Sequence, residues 1–254
     1  MPLNDFGNVG DAYQKYSDGI RGRIRHELVF EVVAGLTIAG GAVLDMGCGD
    51  GEISVRLCEA GFKVLGVDAS PEMLRRANLR KSHLSGSTRS RLEFVVGDIE
   101  NFEPGQKFDA VCCHGVLMYL DDSTGAIQKL ANHVTRGGVL SILTRSSLSN
   151  GFREALRGDY SLARQLVETG APSSIGNLGI STRGDDPAAI VDLMERSGFH
   201  ECHWRGIRIF SDHLDAANFD DHLADELIAL ERAASTRDPY RVMARLFHAT
   251  GRKV

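Results

Sequence analysis

The sequence predicts an α/β fold, a parallel sheet with helices on both faces. Three observations carry this. From residue 42 onward, short apolar runs alternate with stretches of helical periodicity, the rhythm of repeated βαβ units. The first run opens into a glycine-rich turn, VLDMGCGDG, from Val43 to Gly51. Such turns let backbone approach a ligand at the end of a parallel strand. The chain has 254 residues, 43% of them hydrophobic and 25% charged. That suits one globular domain with additions, spanning 1–254.

The elements follow in order. Residues about 10–36 read as one or two N-terminal helices, and residues about 1–36 as a helical lid. Strands are expected at Ala42–Met46, Lys63–Val67, Leu92–Val96, Phe108–Cys113 and Val139–Thr144, then at His203–Phe210 and Met243–Thr250. The helices between them are punctuated. In DASPEMLRRAN, Ser70 is the N-cap, Pro71 the first helical residue and Glu72 lies in the first turn. DDPAAIVDLMERSGF repeats the device with Asp186 and Pro187 and stops at Gly198, and its Ile190, Leu193 and Met194 have the spacing of a buried stripe. Residues about 146–185 form an insertion after the fifth strand, expected to cap the sheet and contribute to the substrate site. Residues about 214–234 read as a helix between the last two strands.

Composition excludes several classes. No apolar run approaches the roughly 18 residues needed to cross a bilayer, and the N-terminus has no apolar signal region, so the expectation is a cytoplasmic protein. Five cysteines without a CxxC pair point to neither a disulfide framework nor a metal centre. Adjacent Cys112 and Cys113 read as small hydrophobes. A net charge of −5 argues against a broad nucleic-acid surface.

The glycine turn is then the question. A phosphate loop needs Lys-Ser or Lys-Thr after its last glycine, and none follows here. A dinucleotide fingerprint, GxGxxG, finds Gly47 and Gly49 but Glu52 at its third position. The acids decide more. Asp45 ends the first strand, Asp68 the second and Asp98 the third, which would line one edge of a cleft. S-adenosylmethionine presents an ammonium, a ribose diol and an adenine amine, all donors that carboxylates accept. Asp68 would take the diol and Asp98 would face the adenine amine, while Gly47 and Gly49 give room for the cofactor. The competing reading makes these acids caps and turns only. His114, after the fourth strand, lies beside the cleft or packs as a core histidine.

The motifs VLDMGCGDG, VLGVDASPEML, GD, FDAVCCHGVLMYL and RGGVLSIL, within residues 40–145, resemble class I S-adenosylmethionine-dependent methyltransferases in order and spacing. The resemblance implies a Rossmann-like, seven-stranded sheet whose last strand is antiparallel. It also implies S-adenosyl-L-methionine as cofactor and S-adenosyl-L-homocysteine as product. More narrowly, GRIRHELVF, GIRIFSDHL and DPYRVMARLFHATGRK resemble the tRNA 5-carboxymethoxyuridine methyltransferase family. That likeness implies cofactor positions at Arg25, Gly47, Cys48, Asp68, Asp98, Ile99 and His114, with Arg25 taking the cofactor carboxylate. Ala69, Met73 and Gly97, beside these acids, complete the expected set. Arg208, Asp212, Tyr240, Arg245 and His248 also match family residues, with no role implied. One departure matters. The family carries a run of lysines after strand five, whereas APSSIGNLGISTRGDDP has one arginine and two aspartates. Polyanion binding draws on Lys and Arg, so tRNA is disfavoured as a partner.

The expected function is methyl transfer to a small molecule, a carboxylate or other oxygen nucleophile. A carboxylate needs no base, whereas a hydroxyl or amine would use His114 or another cleft residue. Arg145, Arg208 and Arg245 are expected to position an anionic group, against the alternative of salt-bridged surface arginines. The alternatives are carboxyl methylation of 5-carboxymethoxyuridine at a tRNA wobble position and cofactor binding without methyl transfer.

Overall fold

A computed structural model describes Tyr13 and residues 17–170, 173–175, 181–214 and 220–254. Helix α1 (Ile20–Leu36) leads into β1 (Ala42–Met46), α2 (Glu52–Glu59), β2 (Lys63–Asp68), α3 (Pro71–Ser82), a short α4 (Gly86–Arg89) and β3 (Leu92–Val96). Then come β4 (Phe108–His114), α5 (Thr124–Asn132) and β5 (Val134–Arg145). The insertion holds α6 (Phe152–Leu156), α7 (Tyr160–Thr169) and a hairpin of β6 (Ser173–Ile175) and β7 (Ser181–Arg183). The chain closes with α8 (Pro187–Arg196), β8 (Phe199–Ile207), α9 (Asp221–Ala234) and β9 (Leu246–Lys253).

The main sheet has seven strands in the order β3-β2-β1-β4-β5-β9-β8. Only β9 runs antiparallel to its neighbours. Each parallel pair needs a crossover, and the amphipathic helices supply it while covering the faces. Because side chains alternate across a strand, one face carries Val43, Cys112, Leu143 and Leu246 against α1, α2 and α9. The other carries Leu44, Val111, Leu140 and Phe247 against α5 and α8. Strand order reverses between β1 and β4, and that switch point opens a crevice at the strands' carboxyl ends.

Local chemistry explains the starts and stops. Ser70 Oγ accepts from Met73 N at 3.3 Å, and Asp186 Oδ1 from Ala188 N at 2.7 Å, so both expected caps form. The last two strands sit elsewhere than expected, at 199–207 and 246–253 rather than 203–210 and 243–250. Arg208 has φ 65°, which turns the backbone out of β8, and a 3₁₀ turn over Tyr240–Met243 delays β9. β5 begins five residues early because it resumes pairing across a bulge at TRGG, where the register shifts. Of the expected N-terminal helical lid, Ile20–Leu36 is a core helix, with Ile24, Leu28 and Val33 buried. Residues 1–12 and 14–16 lie outside the described residues, as do 171–172 and 176–180 of the insertion and 215–219 before α9.

Candidate functional site

The crevice is built from the glycine turn outward. Gly47 N and Cys48 N both donate to Val67 O, at 2.7 and 3.0 Å, folding the turn back over β2. Gly47 has φ 75°, and a Cβ there would meet Val116 Cγ2 at 2.1 Å, so only glycine lets the turn lie this close to the chain after β4. Asp68 fastens the turn from the other side. Its Oδ2 accepts from Gly49 N and its Oδ1 from Ser70 N, both at 2.8 Å. Burial pushes its carboxyl up, and the two N–H donors oppose that shift. Each oxygen keeps a lone pair for a ligand.

The cleft wall includes Gly47, Gly49, Asp68, Ala69 and Met73 from the first half of the sheet, with Gly97, Asp98 and Ile99 beyond β3. Asp98 caps the next turn, accepting from Glu100 N and Asn101 N at 2.9 Å each, and also lines the cleft. Arg25, from α1, lines it too and donates to His114 O at 3.2 Å.

Two residues of the expected set stand behind the wall. Asp45 is buried and accepts from Ser54 Oγ at 2.6 Å; burial raises its carboxyl to about 6. Cys48 is buried beneath Gly66, where a Cβ would lie 3.1 Å from its sulfur, and burial raises its thiol far above the ordinary range. Side-chain alternation in β1 turns Asp45 toward α2 rather than outward.

His114 is on the wall but is no ordinary base. Its Nε2 lies 2.8 Å from Ser141 Oγ, which lies 2.7 Å from His248 Nε2, so β4, β5 and β9 share one polar seam under α1. Burial, then the Arg25 charge, push the imidazole down to about 3. It is neutral at physiological pH and too weak a base to deprotonate an alcohol or amine efficiently.

The other flank is basic. Arg145, Arg208 and Arg245 line the cleft and are buried, at 2%, 3% and 7% exposure, so none is a surface arginine, although Arg208 and Arg245 lie in ion-pair contact with Asp212. Arg208 pairs with Asp212. Arg153 Nε lies 3.4 Å from Asp212. Arg145 donates to Thr182 O at 2.9 Å and to Asn150 Oδ1, which brings the 146–185 insertion to the cleft. Burial, then the neighbouring Arg245, push Arg145 down to about 10. Reading the sequence misses Tyr13, Tyr119, Thr182, Arg153 and Glu154 at or behind this wall. The aromatics sit in recognisable local runs, but only the fold brings them together. Among the described residues, no group of three or more His, Cys, Asp or Glu side chains could hold a metal ion.

The comparisons bear on the activity. Residues 44–140 match a family model described as a methyltransferase domain. The tRNA 5-carboxymethoxyuridine methyltransferase of Escherichia coli (strain K12) is 23% identical over 97% of this chain and 96% of its own. The chain is an S-adenosylmethionine-dependent methyltransferase. A ubiquinone biosynthesis O-methyltransferase of Xanthomonas campestris pv. campestris is 32% identical over 53% of this chain and 56% of its own, so that likeness spans about half of each. Among solved structures, the magnesium protoporphyrin IX methyltransferase of Synechocystis PCC 6803, with S-adenosylhomocysteine bound, superposes with TM-score 0.64. It is 18% identical and covers 99% of this methyltransferase and 96% of its own chain, a likeness of fold. The residues present fit the cofactor: acids for its donors on one flank, and a glycine turn that a Cβ would block.

Proposed function

We propose that this methyltransferase acts on a small anionic acceptor, methylating a carboxylate or another oxygen nucleophile. The observation that carries this is the polarity of the cleft. Asp68 and Asp98 line the β2 and β3 flank, Arg145, Arg208 and Arg245 the β5 and β9 flank, with Gly47 and His114 between them. A donor-rich cofactor suits the first flank, and an anion suits the second.

In this reading Asp68 accepts from the ribose hydroxyls, Asp98 and Ile99 face the adenine, and Arg25 takes the cofactor's carboxylate. Gly97, Ala69 and Met73 shape the wall, and Asp45 and Cys48 support it from behind. When bound, S-adenosylmethionine would supply an electrophilic methyl, passed to the acceptor oxygen as a new O–C bond while the C–S bond electrons stay on sulfur. A carboxylate surrenders no proton in this step, which matches the absence of a competent base at His114. Neutral His114 also adds no positive charge to a site that must admit a sulfonium. The arginines orient the acceptor, and positioning is the main service such a displacement needs.

Methylation of a tRNA wobble 5-carboxymethoxyuridine is the second reading, favoured by the near full-length likeness to the Escherichia coli enzyme. The two share carboxylate chemistry and differ in partner. A methyl-transfer screen with labelled cofactor, against a carboxylate panel and bulk tRNA, separates them. Label in methyl esters of small acids, with tRNA unlabelled, supports the first reading. Label in tRNA, with retention falling steeply as salt rises, establishes the second. Label in neither removes both.

A further inference from the structure

The basic flank carries more positive charge than its own acids neutralise. Three guanidiniums, those of Arg153, Arg208 and Arg245, gather around two carboxylates, Glu154 and Asp212, and a fourth, that of Arg145, lines the same flank of the cleft. Asp212 is shared among three of them: it pairs with Arg208 and lies 3.4 Å from Arg153 Nε and 3.8 Å from Arg245 Nε. Glu154 Oε1 lies 3.9 Å from both Arg153 and Arg245. Asp185, the next acid toward Arg145, is engaged by Arg183 at 2.9 Å and by Thr144 Oγ1 at 2.8 Å.

The surplus is concentrated on two residues. Among the described residues Arg145 forms no ion pair, and its Nε is buried without a hydrogen-bond partner. Its other contacts are neutral oxygens, Thr182 O and Asn150 Oδ1. Arg245 meets carboxylates only at 3.8 and 3.9 Å, beyond the span of a charge-assisted hydrogen bond. These two stand side by side. Arg145 ends β5 and pairs with Leu246 of β9, and Ser146 N donates to Arg245 O at 3.0 Å. Both line the cleft and both are buried. Buried cations without close counter-ions are costly, and an arriving anion offsets that cost.

An oxyanion gripped by two guanidiniums is well held but poorly reactive. Each hydrogen bond draws charge from the oxygen whose lone pair must attack the methyl carbon. On the reading that the acceptor is an anion methylated at oxygen, the fork and the nucleophile are therefore different groups. We propose that Arg145 and Arg245 hold a second, non-reacting oxyanion of the acceptor, a carboxylate or a phosphate, so that the acceptor is at least a dianion. Methylation then consumes the charge of the reacting carboxylate and leaves the anchoring one in place.

The test is binding to the methyltransferase saturated with S-adenosylhomocysteine, titrated by calorimetry with propionate, succinate and phosphonopropionate. These share a short chain and differ in the second group. At least one of the two dianions should bind about tenfold or more tighter than propionate, the worth of one charge-assisted contact. The tighter of the two names the second group. The preference should collapse in Arg145→Gln and in Arg245→Gln. It should survive in Arg23→Gln, whose arginine pairs with Asp221 and Asp225 on the outer face. If a glutamine variant fails to fold, Arg145→Lys keeps the charge, loses the fork and should show a reduced preference. No preference for either dianion in the unaltered protein, or a preference untouched by the variants, overturns the proposal. Assaying ester formation on the same ligands separates it from the function above. A dianion bound selectively yet never methylated removes the oxygen-methylation reading and leaves the fork standing. A monocarboxylate methylated as fast as its dicarboxylate does the reverse.

Discussion

Two jobs meet at Asp68, a structural one and the cofactor contact proposed above, and only the second is suggested by the sequence. Its place at the end of a strand, about twenty residues after a glycine turn, is the ground for proposing it as a ribose acceptor. The structure adds that both of its oxygens hold backbone N–H groups, of Gly49 and Ser70. Asp68→Ala should therefore weaken S-adenosylmethionine binding by roughly 10- to 100-fold, the worth of one or two hydrogen bonds to a charged group. It should also lower the thermal midpoint by a few degrees, since a turn and a helix start lose an acceptor. Calorimetry reads the first effect and a melting curve the second; unchanged affinity would remove the ribose assignment. At this scale the sequence is legible where a residue is short, acidic and at a strand end. It is less so for Asp45, which has the same signature but turns to Ser54. Strand position does not by itself say which way a side chain points when helices cover both faces.

Among elements, the first half of the sheet is written plainly and the second is not. β1 to β4 lie where their apolar runs place them, because each run is bounded by a turn residue or a cap. β8 and β9 drift because their ends depend on tertiary features: Arg208 in the left-handed region, the bulge near Glu201 and the 3₁₀ turn before Ala244. The junction of the glycine turn and α2 gives the clearest test. Gly51 has φ 79° at the start of α2, and a Cβ there would meet Phe94 Cζ at 2.8 Å and Ala77 Cβ at 2.9 Å. It thus packs α2 closely against α3 and β3, close-packing work that the third glycine of a dinucleotide fingerprint performs elsewhere. Gly51→Ala should cost about 2 kcal/mol or more, from left-handed backbone strain and overpacking together. Urea denaturation measures this. A loss under about 0.5 kcal/mol would show that α2 shifts freely, and that its packing does not hold the turn in place.

For the molecule as a whole, the buried titratable groups set how stability depends on pH, and they pull in opposite directions. His26, His114 and His248 are all buried and all pushed down, chiefly by burial, His114 to about 3. In the unfolded chain each titrates near about 6.5. Below that pH the unfolded state takes up protons that the folded state refuses, so their contribution is full above about 6.5 and is lost as pH falls. Asp45 works the other way. Raised to about 6, it binds a proton in the folded state before it does so unfolded, so it adds stability as pH falls from about 6 toward the ordinary carboxylate range. Asp68 and Glu231 are raised too and act in the same sense as Asp45. Between pH 7 and 5 the histidines dominate, because these three sites, joined by the partly buried His133 that is also pushed down, charge in the unfolded chain over that interval while the carboxyls respond mainly toward its lower end. His114, pushed down to about 3, is worth roughly 2 kcal/mol at pH 5 by linkage. The urea midpoint should therefore fall as pH drops from 7 to 5. His248→Gln should flatten the slope by about a quarter to a third, because it removes one of these depressed sites without adding a charge. A midpoint constant or rising over that interval would mean that the seam of His114, Ser141 and His248 admits a proton in the folded protein. Its chain of hydrogen bonds would then be a cationic one, and His114 would carry a charge beside the site of methyl transfer.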